Sequence, residues 1–175
     1  MKKICLILAT LGALALLPLN ASARIGETIA QSDQRYGTPI SKNTSSSLVS
    51  GVPGRMYSYK GWMIQAAFIK GRAAKLRYSK MHSHKIQDDE LQAVLQGEAN
   101  GGQWKEKSQK SLNPLKGLQN TFTRPRLWEN SNGTIAYFNN PQYISLVIEA
   151  PIVEQYKKAK AKAAEKKRKS SIPEF

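Results

Sequence analysis

The chain has 175 residues, with 27 Lys and Arg against 12 Asp and Glu, a net charge of +15, and a single Cys. That length suits one or two small domains with their own core, and one Cys excludes an intrachain disulfide framework. The excess of base favours anionic partners or surfaces.

Lys2 and Lys3 precede an apolar run from Ile4 to Leu17, then Pro18 and the small residues Ala21-Ser22-Ala23. This order predicts an export signal over residues 1–23, cleaved after Ala23, with Ala21 and Ala23 as the cleavage residues. The run of about 14 residues is shorter than the roughly 20 that cross a bilayer as a helix. Cys5 lies at the start of the run and not after it, so lipid attachment is not expected. Without those 23 residues, 152 of the 175 remain, and the loss of Lys2 and Lys3 brings the net charge from +15 to +13. The expected location is periplasmic or secreted, with no membrane span in the mature chain.

Gly26-Glu27-Thr28 leads into a helix of about nine residues, with Thr28 or Glu27 placed to serve its first backbone donors. Ile29 and Tyr36 share a face that Asp33 makes partly polar. Gly37 and Pro39 end the helix. Ser41 to Pro53, rich in Ser, Asn, Thr and Gly, reads as a surface loop. Met56 to Tyr59 and Trp62 to Ile69 alternate as strands, the second with Trp62, Ile64, Ala66 and Phe68 on one side. After a Lys70-Gly71 turn, Ala74, Leu76 and Tyr78 alternate with Lys75, Arg77 and Ser79. That pattern predicts a meander with one apolar and one basic face.

A second helix is predicted over Asp88 to Ala99. Gln87 or Asp88 caps it, Asp89 and Glu90 favour its positive end, and Leu91, Val94 and Leu95 form the buried stripe. Asn100-Gly101-Gly102 ends it, and a Lys- and Ser-rich loop runs from Trp104 through Leu112. Arg126 to Glu129, Thr134 to Asn139 and Tyr143 to Glu149 read as strands, with Asn132-Gly133 as a hairpin turn. Ile144, Leu146 and Ile148 give the cleanest alternation. A third helix runs from Pro151 to Lys169 with Ile152, Tyr156, Ala159 and Ala163 on one face, and Ser170 to Phe175 reads as a frayed end.

The second helix starts about 60 residues after the first, and Trp128 follows Trp62 at a similar interval. The predicted class is therefore α+β: two successive helix-plus-antiparallel-meander units over 24–85 and 86–150, then a basic C-terminal helix and tail over 151–175. The spacing fits a degenerate internal duplication.

Arg24-Ile25-Gly26, Thr28, Gln31 and Tyr36-Gly37-Thr38-Pro39 resemble the entry motif of the SmpA/OmlA domain of small outer-membrane assembly lipoproteins. The tandem arrangement is similar to the doubled unit of β-lactamase inhibitor proteins. The same phrase, Gly-Glu-Thr…Tyr-Gly-x-Pro, resembles the opening of a group of short exported bacterial proteins of unknown function. The resemblance implies a short helix laid on an antiparallel meander. The chain departs from the lipoprotein pattern in lacking the lipid-attachment Cys and in placing Ser32 where that family carries an apolar residue.

Catalytic signals are sparse. His82-Ser83-His84 is the one histidine cluster; two imidazoles do not make a metal site, and adjacent strand residues face opposite ways. There is no Gly-x-Ser-x-Gly elbow and no phosphate-cradling glycine loop. A non-enzymatic module without metal or cofactor is expected. Trp62 and Trp128 are expected in the core. Trp104, between a Gly pair and a Lys-rich stretch, is a candidate binding residue.

The charged candidates are Lys157, Lys158, Lys166, Lys167, Arg168 and Lys169. Tyr156 is the one aromatic among them, which argues against nucleic acid, and the alanine stripe is too slight for insertion into a membrane interface. The expected role is binding or structural support in the cell envelope, toward a protein or an anionic envelope component. An inhibitor-like module docking its sheet face on a protein is an alternative, as is an outer-membrane assembly accessory.

Overall fold

The computed structural model describes residues 24–43, 45–107, 126–139, 142 and 144–170. The expected export signal, the loop expected beyond residue 107 and the frayed end at 171–175 lie outside these residues.

The first helix, α1 (Ile29–Tyr36), starts where the sequence places its cap. Thr28 Oγ1 accepts from the Gln31 N–H at 3.3 Å, and Gln31 Oε1 accepts from the Thr28 N–H at 2.8 Å, closing a capping box. Gly37 stops it at φ +83°, a left-handed conformation natural to glycine, with its N–H donated to the Asp33 carbonyl. Eight residues do not hold a helix in water alone. Tyr36 anchors it, its ring 5.0 Å from that of Tyr57 and 5.3 Å from that of Tyr59. Asp33 accepts a 2.7 Å hydrogen bond from the Tyr57 hydroxyl, so the polar break in the helix face is used.

Strands β1 (Ser41–Asn43), β2 (Gly54–Tyr59), β3 (Trp62–Ile69) and β4 (Arg72–Lys80) follow, then α2 (Asp88–Gly97). Next come β5 (Trp104–Lys107), β6 (Leu127–Asn130), β7 (Ile135–Phe138), β8 (Ser145–Glu149) and α3 (Pro151–Ser170). The strands form one eight-stranded sheet in the order β1-β2-β3-β4-β8-β7-β6-β5, every neighbouring pair antiparallel. At its centre Leu76 lies opposite Ile148 and Tyr78 opposite Leu146. The α+β class is as expected.

One sheet face carries the main core. Tyr57, Ile64, Ala66, Phe68, Leu76, Tyr78, Trp128, Phe138, Leu146 and Ile148 bury against Tyr36 of α1 and Leu91 and Leu95 of α2. Trp128 packs edge-on to Phe138 at 5.9 Å, and Trp62 is half-buried against Tyr78. Arg126 fastens α2 to the sheet through Asp88 at 2.7 Å and Glu106 at 3.0 Å.

The opposite face holds a second cluster that alters several expectations. Residues 41–53 are more than a surface loop: β1 pairs with β2, and Leu48, Val49 and Val52 are buried against Ala67, Ile69, Ala74 and Val153. The three apolar residues were hidden among Ser and Gly, where local composition outweighs them. The face of β4 expected to be basic is partly closed, because Lys75 is buried against Glu149 at 2.5 Å. All five residues of β8 are buried, not alternate ones, because a central strand is covered on both sides. The expected loop after Trp104 begins as strand β5, and α2 ends at Gly97, two residues earlier than expected.

Candidate functional site

The basic helix α3 was the leading candidate. Its first turn docks through Val153, which is fully buried, with Ile152 and Tyr156 half-buried beside it; Ala159 and Ala163 of the expected stripe are exposed. The contact row is Val153, Tyr156, Lys157 and Lys160, spaced i, i+3, i+4, i+7 on one helical face. Lys157 Nζ reaches Glu149 at 3.2 Å, so that carboxylate serves both Lys75 and Lys157. The Tyr156 hydroxyl donates to the Gly51 carbonyl at 3.2 Å, and Lys160 Nζ donates to the Ser50 carbonyl at 2.9 Å. Two lysines of the basic segment therefore hold the helix to the body, and one of them is Lys157, which the sequence offered as a binding candidate.

From residue 157 to 170 the helix is exposed. At about 100° per residue, Lys158, Lys162, Lys166 and Lys169 fall within roughly 80° of one another, directly opposite Val153. Successive charges in that row stand about 5–6 Å apart along the axis. Lys158 lies 3.8 Å from Glu154 and Lys169 2.9 Å from Glu165, exposed pairs of the kind that contribute little. Lys167 and Arg168 occupy the last turn.

Trp104 sits elsewhere. It lies on β5 at the sheet edge, half-buried against the α1–α2 face, and its indole N–H donates to the Leu95 carbonyl at 2.6 Å. It shares no surface with α3, which packs on the other face. Among the described residues the one large hydrophobic side chain exposed to solvent is Ile40. His82 and His84 are exposed, their rings 6.4 Å apart, and the described residues contain no group of three or more metal-binding side chains.

A cleft of about 460 Å³ opens between α1 and α2, a feature the sequence had not marked. Tyr36, Tyr59, Trp62 and Tyr78 form its aromatic wall, Glu90, Val94 and Gln96 its α2 side, and Arg24 and Lys60 its other polar lining. Lys80 pairs with Glu90 and stands over the Trp62 ring at 5.6 Å; Lys60 stands over the Tyr59 ring at 5.3 Å.

Behind the wall, Glu98 is 1 % exposed. Its carboxylate accepts from the Ile25 N–H at 3.0 Å and from the Tyr78 hydroxyl at 2.6 Å. Burial pushes this carboxyl up to about 8, although both hydrogen bonds oppose the rise. Burial likewise pushes the Tyr78 hydroxyl well up, with the charge of Glu98 adding to it. The one sequence cue was a carboxylate just past the negative end of a helix, where acids are disfavoured.

Comparisons of the chain with protein-family models, with curated proteins and with solved structures each find no match. Among the described residues no helix is long and apolar enough to cross a membrane.

Proposed function

We propose that the protein is an exported, non-enzymatic binding module of the cell envelope that holds an anionic envelope component along the outer row of α3. The observation that carries this is the division of labour on that helix. Val153, Tyr156, Lys157 and Lys160 secure one face, and Lys158, Lys162, Lys166 and Lys169 present the opposite one to solvent, while Lys167 and Arg168 of the last turn lie within about 60° of Val153 in direction. A row of ammonium groups at helical spacing attracts a polyanion without inserting into it, and salt screens the attraction.

The test is retention on isolated envelope fractions at about 50 and 300 mM salt, roughly Debye lengths of 14 and 6 Å. Replacing Lys158, Lys162, Lys166 and Lys169 by Gln leaves the docking face intact. Retention should fall several-fold at low salt and become salt-insensitive. Unchanged retention of that variant overturns the role of the helix.

We further propose that 24–85 and 86–150 are two helix-plus-meander units from an internal duplication. Supporting this, α1 precedes β1–β4 and α2 precedes β5–β8, and the sheet order runs outward from a central β4–β8 pair in both directions. The inhibitor-like alternative needs an aromatic docking face, and the half-buried positions of Trp62 and Trp104 give it little support.

A further inference from the structure

The last turn of α3 differs from the rest of the helix in how its charge is arranged. Lys166, Lys167, Arg168 and Lys169 are four consecutive basic residues, all exposed. At about 100° per residue they point in four directions, so cationic side chains encircle the axis. Lys166 and Lys169 belong to the outer row, and Lys167 and Arg168 lie on the side that Val153 occupies further down. Among the described residues, the groove that α3 forms against Leu48, Val49 and Ser50 extends along the helix as far as Ala164. Lys167 and Arg168 stand about 4.5 and 6 Å further along the axis, past the end of that groove.

This arrangement bears on the shape of the anionic partner. Between residues 157 and 170 the helix carries eight basic residues and one acid, Glu165. Lys158, Lys162 and Lys166 follow one another at i, i+4, a spacing at which like charges repel, so counter-charge settling on this half stabilises it. A plane of lipid headgroups meets one side of a rod; it engages the outer row and leaves Lys167 and Arg168 on the far side. A flexible chain turns around the end and engages both. Ala159 and Ala163 lie at the angle between the outer row and Lys167, so the crossing passes over small side chains. Tyr156, the one aromatic of the segment, is half-buried with its hydroxyl held to the Gly51 carbonyl, so no platform for stacking bases accompanies the charge. Resting on the role proposed above for the outer row, we infer that the anionic component is a flexible linear polyanion without bases. It wraps the end of α3, touching the outer row on one side and Lys167 and Arg168 on the other.

The experiment is titration of the protein, expressed from its full coding chain, with end-labelled inorganic polyphosphate, followed by fluorescence anisotropy between about 50 and 300 mM salt. For a flexible strand the logarithm of affinity falls with that of salt by about 0.7 per phosphate contact. Replacing Lys167 and Arg168 by Gln should make the slope shallower by about 1.4 and weaken binding at the lowest salt at least tenfold. The pair Lys167→Arg with Arg168→Lys keeps the charge and should keep the parent's slope, which separates charge from any structural effect. Amide exchange in 161–170 should slow in the complex. Phosphatidylglycerol vesicles of matched charge should bind less tightly than polyphosphate, and oligothymidylate no more tightly than an abasic strand of the same length. An unchanged slope in the Gln pair, tighter binding to the vesicles, or tighter binding to oligothymidylate than to the abasic strand overturns the inference and leaves the outer row standing. Full polyphosphate binding after Lys158, Lys162, Lys166 and Lys169 are replaced by Gln overturns the outer row itself.

Discussion

Glu98→Gln is the sharpest test of the buried cluster behind the cleft. The native carboxyl titrates near 8 against an ordinary value of 4.5, chiefly because burial penalises its charged form. The folded value is raised, so the unfolded chain gives up its proton first as pH climbs. Stability is full below about 4.5 and drains away until about 8. Within that window the slope approaches ~1.4 kcal/mol per pH unit, so the whole loss is on the order of 5 kcal/mol at most. For a chain of this size that lowers the thermal midpoint by roughly 10 °C or more. The assay is thermal unfolding by circular dichroism from pH 4.5 to 8.5, on a chain whose first 23 residues are replaced by a short Gly-Ser extension. The parent should lose stability steadily across that range, and Glu98→Gln should be nearly flat and the more stable of the two at pH 8.5. Parallel pH profiles, or a parent that gains stability with rising pH, would refute the assignment.

A chain that begins at Arg24 with a free ammonium places that charge one residue from the Ile25 N–H that binds Glu98. Its midpoint at pH 8 should exceed that of the Gly-Ser-extended chain by several degrees; equal midpoints would exclude the contact. Val153→Ala removes the fully buried anchor of α3 and should cost roughly 1–3 kcal/mol. Hydrogen exchange should then quicken in 48–52 and 151–160 ahead of the sheet. Glu149→Ala strands the buried Lys75 and should cost about 3 kcal/mol. Adding Lys75→Met should recover most of that loss in urea unfolding, and a double variant no better than the single one would show that the pair is not the cause. Thr28→Ala opens the capping box of α1 and should cost about 1 kcal/mol by the same measurement.

The local signals in this chain were strong and mostly correct in kind. Thr28, Gln31 and Gly37 fix α1 through backbone capping, which needs no distant partner. Alternation in Trp62–Ile69 and in Leu76–Tyr78 assigns the strand face that meets the helices. The misreadings occur where burial is set by segments far apart in sequence. Leu48, Val49 and Val52 look like loop residues until α3 returns about 100 residues later to cover them. Lys75 looks like a solvated charge until Glu149 draws it in, and the same carboxylate holds the exposed Lys157.

The sequence by itself determined the α+β class, the capped helices, the hairpin turns and the exposed basic end, because each depends on contacts within a few residues. Tertiary structure decided which lysines are structural and which face outward, since that turns on which helix side meets the sheet. It also decided the cleft. Arg24, Tyr36, Trp62 and Glu98 span some 75 residues of chain and meet only when both helices lie on one sheet. No local pattern records an encounter between residues that far apart.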